Sequence, residues 1–89
     1  MSRGKILVVE DERDIREGLC ELLVRDGYDV AACGSVQEAE RSIAGGGVDL
    51  YLLDVMLPDG SGFVLCEYIR GELGSDAPVI FLTALDDED

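Results

Sequence analysis

Two short and almost uninterrupted apolar runs constrain the fold of this chain most strongly. One is Lys5-Ile6-Leu7-Val8-Val9, and the other is Leu50-Tyr51-Leu52-Leu53. Such runs are typical of strands that are covered on both faces, as parallel strands are. The first run stops at Glu10-Asp11 and the second at Asp54. Neighbouring parallel strands end at the same edge of a sheet, where open α/β sheets place their ligand sites, so we predict that these three acids lie together.

Three carboxylates at one edge of a sheet repel one another. At about 5 Å and an effective dielectric constant of roughly 20, each pair costs on the order of 3 kcal/mol, and three pairs cost roughly 10 before relaxation or proton uptake. We therefore expect a cation beside Glu10, Asp11 and Asp54.

Helical patterns alternate with the apolar runs in the first half of the chain. A first helix carries an apolar stripe that should lie on the sheet, formed by Ile15, Leu19, Leu22 and Leu23. Gly27 is predicted to end this helix in the left-handed conformation. Residues 28–32 are less apolar and predict a strand at the sheet edge, and the spacing of Ser35 and Glu38 predicts a capping box at the start of a second helix.

The second half continues the alternation. The Gly45-Gly46-Gly47 run is predicted to be a loop rather than a phosphate cradle, because it leads into the third strand, 48–54, and opens no helix. Pro58-Asp59-Gly60 predicts a turn before a third helix, whose apolar side carries Phe63, Leu65, Cys66 and Ile69. Residues 79–82 are a fourth apolar strand, and 86–89 resemble the acidic first turn of a fourth helix. This order predicts an α/β fold with a doubly wound parallel sheet.

Composition limits the class of protein. With 89 residues, 47% of them hydrophobic, the chain is predicted to form a single domain over residues 1–89. A net charge of −13 argues against direct nucleic-acid binding and against attraction to an anionic membrane. Three dispersed cysteines (Cys20, Cys33 and Cys66), the lack of histidine and the lack of a membrane-length apolar segment indicate reduced thiols and a cytoplasmic location.

The predicted acid cluster suits a hard cation and phosphoryl chemistry. Oxygen ligands alone favour Mg²⁺, with Mn²⁺ as the second choice, and the backbone carbonyl of Met56 could be a further ligand. A carboxylate at such a site can attack phosphorus, which makes Asp54 a candidate nucleophile. Thr83 follows the fourth strand, where it is either an ordinary strand-end residue or a hydroxyl donor to a phosphoryl oxygen.

Other sites fit the sequence poorly. A calcium-binding EF-hand loop starting at Asp54 would need oxygen ligands where Met56 and Pro58 stand. Gly60-Ser61-Gly62 lacks the third glycine of a dinucleotide fingerprint, there is no phosphate-binding G-K-[ST] motif, and a D-x-D phosphatase motif fails at Met56.

These residues resemble the receiver domain of two-component response regulators. The resemblance runs from Lys5 to Asp89 and is carried by three segments in the family's order. They are Ile6-Leu7-Val8-Val9-Glu10-Asp11-Glu12, then Leu52-Leu53-Asp54-Val55-Met56-Leu57-Pro58-Asp59-Gly60-Ser61-Gly62, and finally Phe81-Leu82-Thr83-Ala84.

The resemblance implies a flavodoxin-like sheet with strand order 2-1-3-4. It also implies that a sensor histidine kinase donates the phosphoryl group of its phosphohistidine to Asp54, with Mg²⁺ held by Asp11, Asp54 and the Met56 carbonyl. Glu10 would act through a metal-bound water, and Thr83 would be the switch hydroxyl. The chain would then be a phosphoacceptor that assists its own phosphorylation rather than a turnover enzyme. The Val-Glu-Asp-Glu and Met-Leu-Pro stretches most resemble regulators with a winged-helix DNA-binding output.

The resemblance also has a gap. Family receivers continue through a fifth strand, which carries a lysine that pairs with the phosphoryl group, and a last helix, and neither is found in these 89 residues. We therefore expect an incomplete receiver whose fourth strand is covered by another copy of the chain. A degenerate receiver that serves as an unphosphorylated interaction module is the main alternative, and a magnesium-dependent phosphohydrolase is a third.

Overall fold

The structure is a computed structural model that describes residues 2–82. The prediction for Thr83 and that of a helix over 86–89 fall outside these residues. The described elements are β1 (Lys5–Val9), α1 (Arg13–Arg25), β2 (Asp29–Cys33), α2 (Val36–Ala44), β3 (Leu50–Asp54), β4 (Met56–Leu57), β5 (Gly60–Ser61), α3 (Gly62–Glu67), a π-helical segment (Tyr68–Glu72) and β6 (Val79–Leu82).

The main sheet is parallel and has the order β2-β1-β3-β6. This is the predicted 2-1-3-4 order, with β6 as the fourth strand and β2 at the edge. The register pairs Val9 of β1 with Cys33 of β2 and with Leu53 of β3. As a result β1 and β3 end side by side, and the residues that follow them share one edge of the sheet.

Each face of the sheet is covered by different helices. The side chains of β1 alternate between the faces, and four of its five residues are buried, as the unbroken apolar run predicted. One face packs against α2, α3 and the π-helical segment through Ala39, Ile43, Leu65 and Ile69. The other packs against α1 through Leu19 and Leu23. The sheet therefore lies between helices, which holds its carboxyl edge rigidly in place.

Two apolar stripes are only partly used, contrary to prediction. On α1, Leu19 and Leu23 contact the sheet, but Ile15 is 51% exposed and Leu22 is 58% exposed. The apolar stripe is wider than the surface over which α1 contacts β1 and β2. Within residues 2–82, Ile15 and Leu22 are therefore left exposed. On α3, Phe63 is also exposed, although its ring lies 4.7 Å from that of Phe81 in β6.

Helix ends follow the predicted signals with one change. Gly27 follows α1 with φ +98°, in the region that favours glycine. The hydroxyl of Ser35 accepts a hydrogen bond from the backbone N–H of Glu38, as a capping box requires. The Glu38 carboxylate, however, accepts from the N–H of Gly34 instead of that of Ser35. The reciprocal bond of the box is thus shifted by one residue toward β2.

The segment after β3 contains structure that the sequence did not predict. A two-residue strand, β4, pairs antiparallel with β5, so that Met56 faces Ser61 and Leu57 faces Gly60. The Pro58-Asp59 turn joins them, as predicted. The last part of the third helix is wound as a π-helix, for which no sequence signal was recognised. Among the helices of residues 2–82, none combines the length and the apolar character that a membrane span requires.

Gly62 makes the closest backbone approach in this segment and provides a test of the fold. A Cβ atom on Gly62 would overlap the carbonyl oxygen of Asp54, while one on Gly18 in α1 would have no atom within 4 Å. We expect Gly62→Ala to lower the free energy of unfolding by about 1–3 kcal/mol, as overpacking does. Gly18→Ala should raise it by roughly 0.5–1 kcal/mol through helix propensity. Urea unfolding of both variants measures this, and equal effects would contradict the described backbone packing.

Candidate functional site: an acidic cluster at the carboxyl edge of the sheet

Glu10, Asp11 and Asp54 converge at the edge where β1 and β3 end. One carboxylate oxygen from each residue lies within 4.8 Å of the other two. The prediction that these acids lie together is confirmed, because the parallel register brings the ends of β1 and β3 side by side. Glu10 is buried, Asp54 is half-buried and Asp11 is exposed, so the cluster is open to solvent on one side.

Glu10 is the buried member of the cluster. Its side chain is only 6% exposed, and one carboxylate oxygen accepts a 2.9 Å hydrogen bond from the backbone N–H of Glu12. Burial, followed by the nearby charges of Asp54 and Asp11, raises the pKa of Glu10 despite this hydrogen bond. The site therefore disfavours three simultaneous negative charges unless a cation is bound.

No protein cation neutralises the cluster within the described residues. Among residues 2–82, no lysine or arginine forms an ion pair with Glu10, Asp11 or Asp54. Arg16 is close in the chain, but its guanidinium donates a 2.9 Å hydrogen bond to the backbone carbonyl of Glu10. It thus holds the acidic loop against α1. This role of Arg16 was not predicted, because nothing in the sequence pattern shows that an arginine reaches back to the end of the preceding strand.

The backbone after Asp54 is folded tightly onto the end of β3. The N–H of Gly62 donates a 2.9 Å hydrogen bond to the carbonyl of Val55, and the hydroxyl of Ser61 caps α3 at the N–H of Phe63. The turn is tied to α2 as well, because Asp59 accepts hydrogen bonds from Val36 and Gln37. These bonds fix the segment that carries Met56. The role of Asp59 was also missed, since its partners lie more than twenty residues away.

The acid cluster fits a hard divalent cation. Mg²⁺ binds oxygen ligands at about 2.0–2.1 Å, so oxygens on opposite sides of the ion are about 4.2 Å apart. The spacing of up to 4.8 Å within the cluster is close to this value. Met56 lies two residues beyond Asp54 in β4, and its side chain is 78% exposed. Coordination by its carbonyl stays a prediction, as do the role of Thr83 and the water-mediated role of Glu10.

Comparison with known proteins gives the family. The sequence profile of the response regulator receiver domain matches residues 6–89. The chain belongs to the family of response regulator receiver domains, and the resemblance noted in the sequence is confirmed.

Individual relatives agree with this assignment. The chain is 42% identical over 86 residues to the transcriptional regulatory protein SpaR of Bacillus subtilis, with 97% of this chain and 38% of SpaR covered. The chain spans 32 to 38% of the length of several such regulators.

Solved receiver structures have the same fold. The unphosphorylated HemR receiver domain of Leptospira biflexa superposes with a TM-score of 0.85 at 40% identity, covering 97% of this chain and 68% of HemR. TrrA of Thermotoga maritima, in a structure described as a complex with Mg²⁺ and a beryllium fluoride, gives 0.84 at 39% identity, covering 94% and 70%. The α/β receiver fold is therefore established for this chain.

Charge removal at Glu10 tests the electrostatics of the cluster. Glu10→Gln keeps an acceptor oxygen for the Glu12 N–H but removes one charge. We expect the free energy of unfolding of the metal-free chain to rise by about 1–2 kcal/mol at pH 7, less than the full Coulomb estimate because Asp11 is exposed. Glu40→Gln, on the exposed side of α2, is the control and should change it by less than about 0.5 kcal/mol.

The pH dependence of this gain follows from the raised pKa of Glu10. The folded chain binds the proton of Glu10 more tightly than the unfolded chain does, because the pKa of Glu10 is raised by folding. The free energy of unfolding of the unaltered chain therefore falls, relative to that of Glu10→Gln, as the pH rises above the ordinary glutamate pKa of 4.5. The gain from Glu10→Gln should be present at pH 7 and shrink toward zero below pH 4.5. Urea unfolding in a chelator at several pH values measures it, and a gain that grows on acidification would contradict the described repulsion.

Proposed function

We propose that this chain is a phosphoacceptor receiver domain, in which Asp54 accepts a phosphoryl group from the phosphohistidine of a sensor histidine kinase. The observation that carries the proposal is the convergence of three carboxylates from two strand ends in a chain of the receiver family. Receivers are the signal-accepting halves of two-component pairs, so a kinase is the partner that this family implies. The donor is the kinase, and the chain is not a turnover enzyme.

The acids have separate tasks in the proposed reaction. A carboxylate oxygen of Asp54 attacks the phosphorus, the new O–P bond forms as the P–N bond breaks, and the imidazole nitrogen leaves with the bonding electrons. Asp11 and Asp54 would hold Mg²⁺, which supplies charge neutralisation for the phosphoryl oxygens when it is bound. The Met56 carbonyl would complete the set of protein ligands to the ion. Glu10 would orient a metal-bound water on the buried side of the cluster. Mn²⁺ satisfies the same oxygen donor set.

The geometry of the strand ends supports positioning as the main contribution of the protein. Phosphoryl transfer needs little covalent chemistry beyond the nucleophile, and its rate depends on alignment and charge neutralisation. Asp54 is the last residue of β3, which pairs with β1 and β6, and Asp54 itself lies in register with Leu82 of β6. Its side chain is half-buried, which leaves a face for the donor to approach.

The consequences of phosphorylation follow from charge. The phosphoryl group adds about −1.5 to −2 of charge to an already acidic edge. Thr83 would donate its hydroxyl to a phosphoryl oxygen, and this hydrogen bond would bias a two-state surface that controls the output. Because relatives such as SpaR are transcriptional regulatory proteins, we propose control of transcription through a DNA-binding output. With a net charge of −13, this segment would not itself bind DNA.

Self-association and cytoplasmic location both stay predictions. Self-association would cover β6, which among the described residues pairs only with β3 and whose Ile80 is 51% exposed. Cytoplasmic location would match the three free cysteines Cys20, Cys33 and Cys66.

Phosphorylation from a small-molecule donor tests the proposed function. Incubation with acetyl phosphate or phosphoramidate and Mg²⁺ should add the mass of one phosphoryl group, in a form that hydroxylamine removes because it is an acyl phosphate. Asp54→Asn should abolish the addition, and Asp11→Asn should reduce its rate at least tenfold through weaker metal binding. Intact-mass spectrometry over time gives both results.

The matched control is Asp49→Asn. Asp49 precedes β3 at the opposite edge of the sheet, where its carboxylate accepts a hydrogen bond from the N–H of Lys5. This variant should be phosphorylated like the unaltered chain. Phosphorylation of Asp54→Asn to the same extent would contradict the assignment of Asp54. Failure of the unaltered chain to bind Mg²⁺ would instead favour the unphosphorylated interaction module, and turnover of phosphomonoesters would favour the phosphohydrolase.

A further inference from the structure

Asp59 occupies the tip of the short hairpin that follows Asp54. One carboxylate oxygen accepts a 2.8 Å hydrogen bond from the N–H of Val36, and the other accepts a 3.1 Å bond from the N–H of Gln37. These are the first two residues of α2, whose N–H groups have no partner within the helix. A single side chain thus joins the hairpin to a helix more than twenty residues earlier in the chain.

The helix terminus is served by two separate caps. Ser35, the residue before α2, accepts a 3.2 Å hydrogen bond from the N–H of Glu38. Asp59 takes the two N–H groups before that one and brings a negative charge to the positive end of the helix dipole. The N–H donors of Val36 and Gln37 lower the pKa of Asp59, so it is ionised at neutral pH. Ser35 caps α2 locally, whereas Asp59 does so from a different loop.

The same contact is tightly packed. A Cβ atom on Gly60, the next residue after Asp59, would lie 2.9 Å from a methyl carbon of Val36. No larger residue fits there without a shift, so the hairpin tip lies directly against the start of α2. Gly60 pairs with Leu57, and Ser61 pairs with Met56 at the base of the hairpin. The position of the hairpin tip therefore determines where Met56 lies relative to Asp54.

A second hydrogen bond links the start of the acidic loop to the strand that leads into α2. The N–H of Glu10 donates a 3.0 Å hydrogen bond to the carbonyl of Cys33, the last residue of β2. The chain continues from Cys33 through Ser35 into α2, which Asp59 binds. The loop after β1 and the hairpin that carries Met56 are thereby connected through the start of α2.

We propose that Asp59 is a positioning residue for the cation site: it anchors the hairpin to α2 and so holds the Met56 carbonyl where it completes the set formed by Asp11 and Asp54. The inference rests on the proposed function, since it assumes that the cluster binds Mg²⁺. Residues that orient metal ligands contribute to affinity without touching the ion.

A matched pair of variants separates this role from simple stabilisation of α2. Asp59→Ala and Ser35→Ala each remove a cap from the same helix terminus, but only the first releases the hairpin. We expect Asp59→Ala to raise the dissociation constant for Mg²⁺ about tenfold, the lower end of the range for outer-shell groups. Ser35→Ala should leave it within about twofold, even where urea unfolding shows a comparable loss of stability from the missing cap. Isothermal titration calorimetry with MgCl₂ measures both constants.

Two further readouts sharpen the test. Asp59→Asn keeps an acceptor oxygen and the side-chain size, so its Mg²⁺ affinity should fall between those of the unaltered chain and Asp59→Ala. It also replaces the alanine variant if that variant does not unfold cooperatively. At saturating Mg²⁺, the phosphorylation rate of Asp59→Ala should return to within about threefold of the unaltered rate, because the nucleophile is untouched.

The outcomes distinguish the two levels of the proposal. Unchanged Mg²⁺ affinity in both Asp59 variants, or an equal loss in Ser35→Ala, would overturn the positioning role and leave the proposed function standing. No saturable Mg²⁺ binding by the unaltered chain would overturn both.

Discussion

The repulsion among three carboxylates at the ends of two parallel strands is the constraint on which this structure depends. Parallel pairing of β1 with β3 places Glu10, Asp11 and Asp54 within 4.8 Å of one another, and no described basic side chain neutralises them. Burial raises the pKa of Glu10, and the nearby charges of Asp54 and Asp11 raise it further. Binding of a cation would reduce this repulsion and so raise the free energy of unfolding of the domain.

The remaining architecture serves to keep that site rigid. Buried strands between two helical layers fix the ends of β1 and β3, and Arg16 and Asp59 fix the loops that follow them. Gly62 allows α3 to begin directly against the carbonyl of Asp54. The site is therefore assembled at two strand ends, and the loop that follows each strand is tied to a helix by side-chain hydrogen bonds to the backbone. This arrangement suits a reaction in which positioning matters more than chemical assistance.

The sequence predicts the strands, the sheet order and the acid cluster because they depend on strong and local signals. Four apolar runs separated by helical patterns leave few topologies, and the position of each acid follows from the strand it ends. It predicts helix packing less well. The wheel pattern placed Ile15 and Leu22 on the sheet, but the width of the contact depends on neighbouring elements that no single helix encodes. The contact of Arg16 was not predicted because its side chain reaches back to the loop before its own helix. The contact of Asp59 was not predicted because its partners are distant in sequence. The β4–β5 pair is too short for a periodic signal.

The central claim is that the acidic cluster binds one divalent cation. Its most direct test is a crystal structure of the chain grown with Mn²⁺ and measured for anomalous scattering. We predict one strong peak at the cluster, with the carboxylates of Asp11 and Asp54 as ligands at about 2.0–2.2 Å. A cluster without a peak in crystals grown at millimolar Mn²⁺, or a peak held by other residues, would contradict this account.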